Sequence, residues 1–170
     1  MSQQPILIIC MGVSGSGKST VAAKLAKQLN YDFLEADDFH SPENKQHMAA
    51  GKALTDAMRE PWINAMCERL KQLSSERKNS VLAYSGLRRA HRDRFRHLGF
   101  KVQFILLTGS KELIAKRMNA RKTHFMPSSL LDSQFAALEP PLNEPDIATI
   151  AIHMPVAKIY EQIREVLAKL

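Results

Sequence analysis

An α/β fold, with a central parallel sheet and helices on both faces, is predicted here by three observations. Short apolar runs alternate along the chain with stretches of helical period. The first run, PILIICM at 5–11, is apolar throughout, as a strand buried on both faces requires. A glycine-rich turn then joins that run directly to the first helical stretch.

The elements follow in order. From Lys18 to Leu29, Val21, Ala22, Leu25 and Leu29 share one helical face. YDFLEAD at 31–37 is a short strand candidate. The spacing of Trp62, Met66, Leu70 and Leu73 predicts a helix over 61–73, with Pro61 at its first position. VLAYS at 81–85 reads as a strand, 87–97 as an arginine-rich helix, and KVQFILLTG at 101–109 as the clearest strand. Ser110 is placed to cap the next helix, with Glu112 in its first turn. A strand near 147–152 precedes a last helix whose inner face carries Val156, Ile159, Tyr160, Ile163, Val166, Leu167 and Leu170. The prolines at 140, 141 and 145 read as a loop.

Composition narrows the class. The chain has 170 residues, 45% hydrophobic and 24% charged, which is ordinary for one globular domain spanning 1–170 and excludes wholesale disorder. No apolar run approaches the roughly 18 residues of a membrane span. The N-terminus lacks a basic region and a small-residue cleavage site, so no signal peptide is expected. Cys10 and Cys67 are too few for a disulfide framework, and a cytoplasmic setting follows. The formal charge of +7 suits an anionic partner, whether nucleic acid, membrane surface, nucleotide phosphates or a small acid.

The position of the glycines decides among these. GVSGSGKS at 12–19 fits G-x-x-x-x-G-K-[ST] between a predicted strand and a predicted helix, the context of a phosphate-binding loop. Gly12, Val13, Ser14, Gly15, Ser16, Gly17, Lys18, Ser19 and Thr20 are therefore nucleotide-binding candidates. Backbone N–H groups and the helix N-terminus face the phosphates. Lys18 reaches the β and γ phosphates, and the Ser19 hydroxyl is a ligand for Mg²⁺. No N-K-x-D guanine reader exists, since NKQH at 44–47 lacks the aspartate, and the strand at 101–109 ends without an acid. Asp37, at the end of the second strand, is the available carboxylate, either ordering Mg²⁺ through water or accepting a hydroxyl proton. Asp38 reads as a solvated acid. A small-molecule kinase using ATP and Mg²⁺ is the function class.

Four segments carry a more specific resemblance: GVSGSGKST (12–20), ADDFHSPENKQHMAAGKALTDAMREPW (36–62), YSGLRRAHRDRFR (84–96) and RMNARKTHFMPSSLLDSQFAALEPP (117–141). The sequence resembles the gluconate kinases over nearly its full length. These are small P-loop kinases of shikimate and nucleoside monophosphate kinase type, with three layers and a helical lid. The resemblance implies ATP-dependent phosphorylation of D-gluconate at its 6-hydroxyl, a substrate-side segment over about 37–75, a lid over about 117–140 and a homodimer. It points to His40 and Asn44 as hydroxyl readers. It also points to Ser85, Arg88, Arg92 and Arg59 on the substrate side, the arginines meeting the carboxylate. Arg88 and Arg92 lie four apart on one predicted helical face. In the lid, Arg117 and Arg121 are spaced to clamp the ATP phosphates, so Lys18, Asp37 and Arg121 form the expected catalytic set. The family's D-G-D is Glu35-Ala36-Asp37 here, and Arg88 stands where lysine is usual.

Other residues read more plainly. His47, His91, His97 and His153 are expected to be structural or exposed, and His124 to shape the lid. Arg89, Arg94 and Arg96 read as a solvated face, Trp62 as a packing anchor and Cys10 as a buried strand residue. Two alternatives stand beside gluconate: a kinase for another small hydroxy acid such as shikimate or another sugar acid, and a nucleic-acid-binding ATPase suggested by the arginines at 88–96. No aromatic-and-basic RNA signature supports the latter, so neither nucleic acid nor membrane is an expected partner.

Overall fold

The computed structural model describes residues 3–120 and 130–170, with side chains to 118 in the first stretch. Five strands form one parallel sheet in the order β2-β3-β1-β4-β5: β1 Ile6–Met11, β2 Asp32–Glu35, β3 Ser80–Ala83, β4 Lys101–Thr108 and β5 Ile147–Ala151. Seven α-helices are described: α1 Lys18–Leu29, α2 Pro42–Ala49, α3 Asp56–Ser75, α4 Arg89–Phe95, α5 Lys111–Ala120, α6 Leu130–Ala137 and α7 Val156–Leu167. The α/β class and the parallel sheet expected from the apolar runs are both present.

Alternation along β1 divides the core. Ile8 and Cys10 pack with Val21, Ala22, Leu25, Ile159 and Ile163 on the side of α1 and α7. Leu7, Ile9 and Met11 pack with Trp62, Met66, Leu70 and Phe95 on the side of α3 and α4. Burial pushes the Cys10 thiol up to about 12, so it is an apolar filler.

Three local expectations change. α3 begins at Asp56 rather than Pro61, because Thr55 caps it: its hydroxyl accepts the Met58 N–H at 3.1 Å. Pro61 lies inside the helix. The second strand stops at Glu35, where a single 3₁₀ turn, Ala36–Phe39, begins. On α7 Ile159, Tyr160 and Ile163 are buried and Leu167 packs against the same core, whereas Val156 in its first turn is exposed. Ser110 does cap α5, accepting from Leu113 N–H at 3.1 Å.

The strand order positions the site. β3 lies between β1 and β2, and Ala83 is in register with both Cys10 and Glu35. The chain leaving β1, β2 and β3 therefore emerges at one edge of the sheet, at the carboxyl ends where ligands bind in open α/β sheets.

Candidate active site

A cleft opens at this edge. Its lining includes Ser14, Gly15, Gly17, Lys18, Ser19 and Thr20 from the turn after β1, together with Asp37 and His40 from the turn after β2, Arg59 of α3 and Ser85 after β3. The first wall is the turn between β1 and α1. Gly15 has φ +83°, and an added Cβ there would lie 2.7 Å from Met118 Cγ of α5, so only glycine fits. Gly17 has φ +94° and open space where a Cβ would stand. It precedes α1 without a side-chain cap, and no acid occupies the helix's first turn. A helix N-terminus of this kind, with no side-chain cap and no acid in its first turn, suits an external anion. Gly12, Val13 and Ser16 are buried and form the underside of the turn, Gly12 N–H donating to Ser85 O at 3.1 Å.

The opposite wall comes from the 3₁₀ turn after β2. His40 stacks on Trp62, ring centroids 4.0 Å apart at 17°, and Trp62 Nε1–H donates to Ala36 O at 2.7 Å. Trp62 is therefore both the expected anchor and part of the cleft wall. Burial lowers the His40 pKa to about 4, so the ring is neutral near pH 7. Asp37 is half-buried in the cleft, whereas Asp38 is exposed.

Sequence reasoning missed Glu35. It lines the cleft and accepts a hydrogen bond from the Ser19 hydroxyl. Burial raises its pKa, against the pull of the Ser19 hydrogen bond. Its position two residues before Asp37 was the available signal. Gln134 of α6, whose Oε1 accepts the Ser14 N–H, was also missed. Ser19, Glu35 and Asp37 offer hard oxygen donors suited to Mg²⁺. Among the described residues no cluster of three or more acids, histidines or cysteines forms an all-protein metal cage. A Mg²⁺ here fits as an ion shared with nucleotide phosphates.

The arginines divide. Arg59 lines the cleft and donates from Nη1 to Asp56 Oδ1 at 3.0 Å. Arg88 does not line the cleft but shares Arg59's partner, its Nε 3.5 Å from the same Asp56 oxygen and its Nη1 3.8 Å from Glu139. Arg88 precedes α4 in extended conformation, so it does not share a helical face with Arg92. Arg92 requires correction. It is 1% exposed and points into the protein, pairing with Glu144 through Nε–Oε1 (3.0 Å) and Nη2–Oε2 (2.7 Å). Its remaining donors reach the carbonyls of Gly86, Leu87 and Glu139. No donor is left for a substrate.

Asn44 is likewise internal, its Nδ2 donating to Met58 O and so tying α2 to α3. Arg117 donates to Ile152 O at 3.0 Å instead of entering the cleft. Arg121 and His124 lie outside the described residues. Of the arginines expected as a solvated face, Arg96 joins Glu144, Asp146 and Asp93, and Arg94 pairs with Glu60. Arg89 donates to Leu142 O. His91 is buried against Glu60, His47 bonds to Ala53 O, and His97 and His153 are exposed.

Among the described residues three buried side-chain atoms have no hydrogen-bond partner: Ser16 Oγ, His40 Nδ1 and Arg88 Nε. Each belongs to a residue assigned to the site from sequence. Buried polar atoms are nearly always satisfied, and of the three His40 Nδ1 belongs to a residue that lines the cleft, where it fits a site built for a polar ligand.

A family model described as an AAA domain matches residues 7–141. The gluconokinase of Gluconobacter oxydans is 38% identical over 165 residues, covering 96% of this chain and 93% of that protein. The chain belongs to the gluconokinase family. The thermosensitive gluconokinase of Escherichia coli is 39% identical over 158 residues, covering 92% and 84% of the two chains. The crystal structure of a gluconokinase from Sinorhizobium meliloti superposes with TM-score 0.84 at 39% identity, covering 99% of this chain and 94% of that one. A shikimate kinase from Aquifex aeolicus, at TM-score 0.64 and 19% identity over 95% and 96%, shares the fold. Membership of a P-loop kinase family carries ATP binding with it. No helix among the described residues is long and apolar enough to cross a membrane.

Proposed function

We propose that this gluconokinase-family chain transfers the γ-phosphoryl group of ATP to the 6-hydroxyl of D-gluconate, forming 6-phospho-D-gluconate and ADP. The observation that carries the reading is the cleft itself. One wall is an uncapped helix N-terminus bearing Lys18, and the other bears a carboxylate, Asp37, a neutral imidazole, His40, and a guanidinium, Arg59. A polyhydroxy acid matches that second wall: hydroxyls for Asp37, His40 and Ser85, and a carboxylate for Arg59, which shares Asp56 with Arg88.

The chemistry follows from these positions. Backbone N–H groups at 15–20 and the Lys18 ammonium hold the β and γ phosphates. Ser19, with Glu35 and Asp37 beside it, would hold Mg²⁺, which neutralises charge on the phosphates when bound. Asp37 accepts the proton of the 6-hydroxyl as that oxygen bonds to the γ phosphorus. The bond from phosphorus to the β,γ-bridging oxygen breaks, and ADP leaves with the electron pair. Arg121, assigned by family resemblance alone, is the proposed cation on the transferring group.

The arginines at 88–96 do not favour nucleic acid. Arg92 and Arg96 are engaged with Glu144, and Arg94 with Glu60, so much of the positive charge of this segment is neutralised within the protein. Cytoplasmic location is proposed from the sparse cysteines, and a homodimer from the resemblance, the latter measurable by sedimentation. ADP formation with Mg²⁺ and a panel of acceptors tests the substrate assignment. Gluconate is expected to give the highest kcat/KM; a higher value for shikimate or another sugar acid would overturn it.

A further inference from the structure

One helix touches both walls of the cleft. In the first turn of α6, Leu130 packs with Met48 of α2 and Leu54, with Met58 of α3 against them, on the acceptor side. One turn later Gln134 reaches the phosphate loop. Its Oε1 accepts the Ser14 N–H at 2.7 Å, and its Nε2 donates to Ser14 Oγ at 3.0 Å. Leu130 and Gln134 are four apart and share a helical face. Beyond the helix, Glu139 N–H donates to Leu87 O at 2.7 Å, next to Arg88.

The Gln134 contact is chemically specific. Ser14 presents one backbone donor and one hydroxyl, and a primary amide accepts from the first while donating to the second. Leucine or methionine in its place would retain apolar packing and lose both bonds. Glutamate would keep the acceptor but set a negative charge against a phosphate-binding loop.

We infer that Gln134 is a positioning residue for the phosphate loop, and that α6 couples nucleotide binding to acceptor binding through Gln134 at one wall and Leu130 at the other. A nucleotide that orders the loop also fixes Gln134 and α6, so the acceptor wall needs less ordering when its ligand arrives. The coupling is reciprocal by linkage: the factor by which ADP tightens gluconate equals that by which gluconate tightens ADP. The inference rests on the proposed function only for the identity of the acceptor.

Calorimetric titration of the full chain tests it, using ADP with Mg²⁺ alone, gluconate alone, and each in the presence of the other. In wild type each ligand tightens the other by about fivefold or more. Gln134→Met weakens ADP binding and brings the mutual factor close to one. Should that variant not fold, Ser14→Ala removes only the hydroxyl half of the contact and lowers the factor partially. A wild-type factor of one, or an undiminished factor in the folded variant, overturns the coupling. If gluconate does not bind wild type at all, the acceptor assignment fails, and ADP affinity alone still decides the positioning role. Equal ADP affinity in wild type and Gln134→Met overturns it.

Discussion

Arg92 and Glu144 meet in a two-bond pair in which each side chain is only 1% exposed. Arg96 adds a third guanidinium contact at 2.8 Å, and the Arg92 hydrogen bonds foremost hold the Glu144 carboxyl down to about 2. The pair ties the segment after β3 to the loop before β5, behind the cleft and out of a substrate's reach. Arg92→Ala strands a buried carboxylate and should cost about 3–5 kcal/mol in denaturant unfolding. Arg92→Lys should not restore the loss, because an ammonium lacks the planar fork. Native folding with an altered gluconate KM in Arg92→Ala would return Arg92 to the substrate site.

The same pair carries an acid signature. The folded Glu144 pKa lies below the ordinary carboxylate value of 4.5, so its contribution is fully present above that pH. It is lost as pH falls from about 4.5 toward 2. Urea titrations across that window should show stability falling less steeply in Glu144→Gln than in wild type.

Arg59 and Arg88 share Asp56 and, of the three arginines expected on the substrate side, are the two left to meet a carboxylate. Alanine at either position should raise the gluconate KM about tenfold or more, as loss of a charge-assisted hydrogen bond does, with a smaller change in kcat. Steady-state kinetics with ATP saturating gives the split. A pure kcat defect in both would remove them from substrate binding.

Asp37→Asn should lower kcat by about 10²–10⁴, the usual contribution of a general base, while ADP affinity stays near wild type. Lys18→Ala should lower turnover by about 10²–10³ and weaken nucleotide binding as well. Single-turnover rates paired with calorimetry separate the two. Wild-type turnover in Asp37→Asn would remove it from catalysis.

His40 makes a second pH prediction, with the opposite residue chemistry. Its folded pKa, near 4, lies below the ordinary 6.5, so the unfolded chain binds the proton first. Stability should therefore fall as pH drops from about 6.5 to 4, by about 2–3 kcal/mol at most for this group. His40→Gln should flatten that slope and raise the gluconate KM. An unchanged slope would mean that the ring is protonated in the folded protein.

Much of this was legible locally. The phosphate loop and α1 combine a spacing motif, glycines and a helical face within one continuous stretch, and α1 runs from Lys18 to Leu29 as its pattern indicates, with Val21, Ala22 and Leu25 buried but Leu29 at its end exposed. Asp37, His40, Arg59 and Ser85 reach the cleft because β2, β3 and β1 are neighbours in a parallel sheet. What the pattern misread depends on partners distant in sequence. Arg92 looks like any helical arginine until Glu144, 52 residues away, claims it. Asn44 is spent on a carbonyl of α3, 14 residues on. Pro61 suggested a helix start because proline favours first turns, yet Thr55 supplied the stronger cap. Gln134 stood within a quoted motif, but nothing in its spacing reveals that it faces Ser14, 120 residues earlier.

The central claim is the identity of the acceptor and the position phosphorylated. Phosphorus-31 and carbon-13 NMR of the product formed from ATP, Mg²⁺ and D-gluconate measures both at once. A single phosphomonoester on the 6-oxygen, formed in step with ADP, is the expected result. ADP released without a gluconate product, or phosphate on a different oxygen, would contradict the account.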